Sequence, residues 1–159
     1  MTTATAEDFM RRAIELARSN IGRGEGGPFG ALIVLGDQIV AEGRNRVTSA
    51  NDPTAHAEIV AIRAACHKLS RFSLAGAQIY TSCEPCPMCL AAIHWARLDQ
   101  IHYAATREDA GQVGFDDALL YRELSLPIQD RATPMKQLAQ QEAVSVMQDW
   151  MKDPKRIVY

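Results

Sequence analysis

Two short stretches of the chain carry residue types that bind a transition-metal ion. Cys86 and Cys89 are three residues apart, so on the first turn of a helix their sulfur atoms share one face. His56, from an earlier part of the chain, supplies a third donor. A catalytic zinc ion takes three protein ligands and keeps its fourth tetrahedral position for water. These residues therefore predict a metal site at which a water molecule is activated for hydrolysis.

Glu58 lies two residues after His56 and completes the chemistry that these residues predict. Its carboxylate points elsewhere on the helical turn, so we expect it not to be a ligand. Two thiolates and a neutral imidazole balance the charge of Zn²⁺, and water at such a site ionises near pH 7. Glu58 would take the proton of that water and deliver it to the substrate, as general base and then as general acid.

Both stretches are predicted where a helix begins. Helical patterns cover about 54–69 and 87–97, and Pro87 suits a first turn, where its missing N–H does no harm. The exposed N–H groups and the helix dipole stabilise thiolates at this end of a helix. The first turns of two helices are therefore expected to carry all three ligands and Glu58.

The remaining pattern predicts the elements that hold these two helices. A hairpin followed by alternating helices and strands is typical of an α/β domain, here a three-layer α/β/α sandwich with a mixed central sheet. We expect a single domain spanning residues 1–159, with a hairpin turn at Gly36-Asp37. The predicted strands are 31–35, 38–42, 77–82 and 99–105, the further helices are about 7–19, 116–124 and 142–152, and loops are expected over 22–30 and 45–53.

Cys83 leaves one alternative for the metal. As a fourth ligand it would give a Cys₃His site, and purely structural zinc sites normally have four protein ligands. That alternative assigns no role to Glu58, so the sequence favours the catalytic site. Cys66 is expected to be a small core residue.

Composition narrows the class of partner and the compartment. Of the 159 residues, 47% are hydrophobic and 23% charged, which is typical of a globular protein with its own core. The formal net charge of −2 lacks the basic excess of proteins that grip nucleic acid, so a small substrate is favoured. Three of the four cysteines crowd within seven residues, which indicates metal binding in a reducing cytoplasm. We expect no signal peptide and no membrane span.

The pattern His-x-Glu followed by Pro-Cys-x-x-Cys is the signature of zinc enzymes that deaminate nucleobases. Over nearly its whole length the chain resembles the cytidine deaminase-like superfamily, and within it the bacterial-type guanine deaminases. The resembling stretches are 26–31, 51–58, 80–90, 95–96 and 114–117.

This resemblance implies an activity and a set of site residues. The implied reaction is zinc-dependent hydrolysis of guanine to xanthine and ammonia, and aminotriazines such as ammeline present a similar edge. Glu58 would be the main proton shuttle, and Asp117 would assist the departing amine. The substrate-binding residues that the resemblance implies are Phe29, Asn45, His56, Ala57, Trp95, Asp117 and Tyr159.

The resemblance also implies a homodimer. In the resembling enzymes the C-terminal segment exchanges between two subunits, and its last tyrosine closes the partner's active site. In this chain the exchanged segment would be about 130–159, ending in Tyr159. Swapping of a segment is a low-cost route to a symmetric dimer.

Two rival functions stay open at this point. A tRNA adenosine deaminase or a cytosine deaminase would have the same zinc centre and differ only in its pocket. A tRNA enzyme should carry basic residues near its C-terminus, where Lys152, Lys155 and Arg156 are accompanied by Glu142 and Asp149. The rival from another class is a non-catalytic binding module that zinc stabilises. Replacing Glu58 with glutamine separates the two, because only an enzyme would lose an activity while the fold and the metal survive.

Overall fold

The computed structural model describes residues 4–159 and divides the chain into two compact units, Met1–Asp117 and Ala118–Tyr159. The prediction of a single domain with an exchanged segment stays a prediction. The elements of the first unit are α1 (Ala6–Ser19), β1 (Gly30–Leu35), β2 (Gln38–Arg44), α2 (Val47–Ala50), α3 (Ala57–Leu69), β3 (Ala77–Cys83), α4 (Pro87–Trp95), β4 (Gln100–Ala105) and α5 (Arg107–Gln112). The second unit has α6 (Ala118–Ser125), a 3₁₀ turn (Ile128–Asp130) and α7 (Gln140–Lys152).

Four strands form the central sheet in the order β2-β1-β3-β4. β1 pairs antiparallel with both β2 and β3, whereas β3 and β4 run parallel, so the predicted mixed sheet is confirmed. The β1–β2 hairpin turns at Gly36-Asp37, and Gly36 has a φ of +59°, a conformation that costs glycine little. The connection between the antiparallel strands is therefore as short as the sequence predicts.

Helices cover both faces of this sheet, as the predicted α/β/α sandwich requires. Side chains alternate along β1, so Leu32 and Val34 pack with α1 while Ala31 and Ile33 pack with α3 and α4. Both sets are almost completely buried, which makes β1 the centre of the core. The α1 side is closed by Phe9, Ala13, Leu16 and Tyr80, and the other side by Ala57, Ala61, Ile62, Ala65, Leu74, Ala77, Ile79, Ile93 and Ala96.

A glycine lets α3 lie directly against β2. A Cβ atom on Gly43 would collide with the carbonyl oxygen of Ala57 and lie 2.7 Å from the amide nitrogen of Ala61. Any other residue at this position would push the first turn of α3 away from the sheet. The close approach of Gly43 therefore fixes where α3 begins.

Short-range hydrogen bonds explain where the elements depart from prediction. α3 begins at Ala57 rather than near 54, because Asp52 Oδ1 accepts from the amide and hydroxyl of Thr54 at 2.8 and 2.7 Å and forms a turn there. The prediction of an unbroken loop over 45–53 is wrong, since Val47–Ala50 forms the one-turn helix α2. α5 was also not predicted. Its first turn is held by a capping box between Thr106 and Asp109.

The second unit presents apolar side chains to its surroundings. Val146, Met147, Trp150 and Met151 follow one side of α7 and are between 45% and 69% exposed. Ile157, Val158 and Tyr159 at the end of the chain are at least 67% exposed. Among residues 4–159, none of the helices combines the length and apolar character that crossing a membrane requires.

Candidate active site

Three of the predicted site residues converge between α3 and α4. The ligand atoms of His56, Cys86 and Cys89 all lie within 4.8 Å of one another. Nδ1 of His56 is 3.6 Å from Sγ of Cys86 and 3.5 Å from Sγ of Cys89. Zn–S and Zn–N bonds of about 2.3 and 2.05 Å put sulfur and nitrogen about 3.6 Å apart at a tetrahedral ion. Soft thiolates with one imidazole suit zinc, so donor type and spacing both fit that ion.

Helix N-caps position two of these ligands. His56 and Cys86 have the extended backbone of an N-cap, with φ, ψ of −64°, 156° and −63°, 167°. Their carbonyl groups already accept from the fourth residue of each helix, Val60 at 3.0 Å and Leu90 at 2.9 Å. Neither side chain makes the usual capping bond to its own helix, so the imidazole and the thiol remain available to a metal.

A hydrogen bond links the two cysteine side chains and shifts their pKa values in opposite directions. Hydrogen bonding from Cys89 lowers the pKa of Cys86 to about 4, although burial acts against it. The same bond, reinforced by burial, raises the pKa of Cys89. Binding of a divalent cation here would require both sulfurs as thiolates and would therefore release the proton of Cys89.

Glu58 lies beside this cluster without belonging to it. It is the second residue of α3, is 7% exposed, and contacts Cys89 through its carboxylate. Burial raises the pKa of Glu58 above its ordinary value. A buried carboxyl group with a raised pKa, next to a metal site, is suited to moving protons near neutral pH.

Cys83 has a different environment. Its thiol donates to the carbonyl oxygen of Thr106 at 3.5 Å, and burial raises its pKa to about 11. Among the described residues, the metal-ligating group contains His56, Cys86 and Cys89 but not Cys83. The alternative of a Cys₃His structural site therefore has no fourth ligand in place.

Asn45 and Phe29 are brought together where β2 ends and β1 begins. Asn45 is only 5% exposed. Its backbone N–H donates to the carbonyl oxygen of Phe29 at 3.1 Å. Asn45 Oδ1 accepts from the amide of Val47 at 3.1 Å, which fixes the orientation of the side-chain amide. The Phe29 ring meets Phe115 edge to face, with centroids 4.8 Å apart. Phe115 was not among the predicted site residues, although it lies in the resembling stretch 114–117.

The other predicted site residues are less closely grouped than the three metal ligands. Ala57 is completely buried in the first turn of α3, directly after His56. Asp117 is half-buried, and burial followed by the negative charge of Cys86 raises its pKa, so it lies near the cluster. Trp95, at the end of α4, is 67% exposed, and Tyr159 is 68% exposed in the second unit.

Comparisons with known proteins agree with this geometry. Residues 3–105 match the family model of the cytidine and deoxycytidylate deaminase zinc-binding region. The chain is 50% identical over 144 residues to the guanine deaminase of Bacillus subtilis, covering 91% of this chain and 92% of that protein. An X-ray structure of guanine deaminase from Bacillus subtilis is similar, with a TM-score of 0.95 and 47% identity over 98% of this chain and 99% of that one. A tRNA-specific adenosine deaminase of Agrobacterium fabrum is 44% identical over 105 residues, covering 66% of this chain and 68% of that protein.

Proposed function

We propose, because the chain belongs to the family of cytidine and deoxycytidylate deaminases with a zinc-binding region, that it hydrolyses guanine to xanthine and ammonia. The observation that carries this function is the group of His56, Cys86 and Cys89 with the buried carboxyl group of Glu58 beside it. The similarity to guanine deaminase extends over the whole length of both chains, which supports guanine as the substrate.

Glu58 handles the protons of the reaction. His56, Cys86 and Cys89 would hold the zinc ion, which would supply an activated water at neutral pH by lowering the pKa of that water to about 7. Glu58 accepts one proton of the attacking water and delivers it to the ring nitrogen next to C2 of guanine. It then takes the second proton and passes it to the amine as the C–N bond breaks. Water is thereby divided between xanthine and ammonia, and Glu58 returns to its starting state.

Asn45 and the two phenylalanines hold the base. Nδ2 of Asn45 is oriented to donate to an acceptor on the purine, because its Oδ1 is engaged by the backbone of Val47. The paired rings of Phe29 and Phe115 form an apolar wall that excludes water from one side of the pocket. Asp117, whose pKa is raised by burial, assists the departure of the amine. Trp95 and Ala57 complete the proposed contacts to the substrate.

An ammonia-release screen tests the substrate. We expect release from guanine, weaker release from ammeline, and none above background from adenine, cytosine, adenosine or an adenosine-containing tRNA anticodon stem. The formal net charge of −2 and the partial coverage of the tRNA-specific relative both favour a free base over RNA. Zinc is measured on the same sample. Turnover of the tRNA stem with guanine left intact would replace this function by the rival one.

A homodimer with exchanged C-terminal segments, about residues 130–159, is the proposed assembly. The apolar stripe on α7 and the exposed Ile157, Val158 and Tyr159 support it, since such side chains are usually covered by a partner. A second copy of the chain fits because a symmetric exchange covers both stripes at once. In this arrangement Tyr159 closes the active site of the partner subunit.

Mixing two inactive variants tests this exchange. Deletion of residues 157–159 should lower kcat for guanine at least about tenfold, because the site is left open to water. Mixed with a Glu58→Gln chain, it forms hybrid dimers in which one site has both Glu58 and a donated Tyr159. Activity should then recover to about a quarter of wild type at equal mixing. No recovery in confirmed hybrid dimers means that the segment acts on its own subunit. The control is Lys155→Ala, a change in the same segment that should leave kcat for guanine unchanged.

We also propose a cytoplasmic location. The proposed zinc site needs Cys86 and Cys89 as free thiolates, and a reducing compartment keeps them from pairing as a disulfide. A purine base as substrate is in keeping with that compartment.

A further inference from the structure

Asn20 connects the end of α1 to two loops that carry predicted pocket residues. It is the C-cap residue of α1 and only 1% exposed. The two N–H groups of its Nδ2 donate to three carbonyl oxygens, those of Gly27 at 2.8 Å, Asn45 at 2.9 Å and Gly26 at 3.2 Å, so one of the N–H groups is shared between two acceptors. One side chain thus ties the glycine-rich loop before β1 to the residue that follows β2.

The orientation of this amide is determined by its donors. If the side chain were flipped, Oδ1 would face three carbonyl oxygens, and every contact would be repulsive. Oδ1 is itself buried and has no hydrogen-bond partner among the described residues. A buried polar atom without a partner is costly. Asparagine would therefore be less favourable here than an apolar or smaller residue unless its three donated bonds outweighed that cost.

The two loops that Asn20 joins are already in close contact. A Cβ atom on Gly26 would collide with Oδ1 of Asn45 and come within 2.8 Å of its carbonyl oxygen. The amide of Asn45 in turn donates to the carbonyl of Phe29. A displacement of the loop before β1 is therefore passed directly to the Asn45 side chain and to the Phe29 ring.

We propose that Asn20 is a positioning residue of the base pocket: its three donated bonds hold Asn45 and Phe29 where they meet the purine. This inference rests on the proposed function for the identity of the ligand. Asn20 acts through Asn45, does not touch the substrate, and lies on the α1 side of the fold rather than on the helices that carry the metal ligands.

Steady-state kinetics on Asn20→Ala and Asn20→Asp test the proposal. Asn20→Ala removes the donor, and Asn20→Asp places an oxygen against three carbonyl oxygens. We expect KM for guanine to rise on the order of tenfold while kcat changes by less than about threefold, because binding common to ground and transition state is lost. Zinc content should stay at the wild-type value. The control is Ser19→Ala, which removes a hydrogen bond to Leu16 at the same helix end and leaves both loops alone.

A double-mutant cycle separates positioning from a general loss of stability. Because Asn20 acts partly through the Asn45 side chain, Asn20→Ala should raise KM by a smaller factor in an Asn45→Ala background, where only the contribution through Phe29 remains. An equal rise in both backgrounds, or a fall in kcat alone, overturns the proposal.

Hydrogen exchange keeps this test independent of the activity. In Asn20→Ala the amides of Phe29 and Asn45 should exchange faster than in Ser19→Ala, while those of β3 are unchanged. Unchanged exchange at both amides overturns the positioning role even if wild-type protein proves inactive on guanine. Faster exchange with an inactive wild type would retain the positioning role and reject only the proposed function.

Discussion

Glu58→Gln is expected to lower kcat for guanine by about 10²- to 10⁴-fold, the range that general acid–base catalysis supplies. Glutamine has the shape of glutamate but cannot carry a proton between water, ring nitrogen and amine. The measurement is ammonia release under saturating guanine, with zinc content and thermal unfolding followed on the same protein. A non-catalytic zinc module would show no difference between the two proteins, so the substitution also separates an enzyme from that rival.

The thermal stability of Glu58→Gln should not fall together with its activity. Burial raises the pKa of Glu58, which means that its charged form is disfavoured in the folded protein. Glutamine removes this penalty at neutral pH, so Tm should stay the same or rise. Glu15→Gln on the exposed side of α1 is the matched control and should leave both kcat and zinc unchanged. Full ammonia release by Glu58→Gln would assign the proton transfers to another group.

Cys89→Ala should remove both the bound zinc and the activity. Cys89 is completely buried, and its Sγ lies 3.5 Å from Nδ1 of His56, so alanine at this position leaves the group with two of its three ligands. Changes to outer-shell partners already weaken metal binding about 10- to 100-fold, and loss of a ligand should cost more than that. Metal analysis of the purified variant should find well below one zinc per chain.

The other cysteines provide the controls for this prediction. Cys83→Ala and Cys66→Ala should keep one zinc per chain, because Cys83 is bonded to Thr106 and the Cys66 thiol lies 3.8 Å from the carbonyl oxygen of Phe72. Chelation of the wild-type protein should abolish turnover, and added zinc should restore it. If Cys83→Ala lost the metal as fully as Cys89→Ala did, the site would have four protein ligands and no position for water.

Local patterns in the sequence were enough for most of the fold. The uninterrupted apolar run in β1 indicates a strand that is buried on both faces, and the helical spacing in α1 indicates a helix that is buried on one side, so both elements were predictable. α2 and α5 were missed because helices of 4 and 6 residues are too short to show a period. For α5 the Thr106–Asp109 capping box was the signal available.

For the site, sequence succeeded where chemistry restricts the residue type. Few arrangements other than a metal site explain His56 with Cys86 and Cys89, and the structure brings these three together. Asn20 carries no such restriction, since asparagine is common at helix ends and turns. Its partners lie 6 to 25 residues away in loops whose path depends on the folded sheet, so nothing in the local pattern could reveal the three bonds that it donates.

The metal ligands lie at the beginnings of α3 and α4. The loop before β1 is held instead by Asn20 at the end of α1. We therefore propose that the loop before β1 can be altered without changing the metal ligands. Retargeting the protein to other amino heterocycles should start at Phe29 and Phe115, whose rings touch each other and which are not among the metal ligands. One hydrolytic centre would then serve different bases through changes in the loops alone.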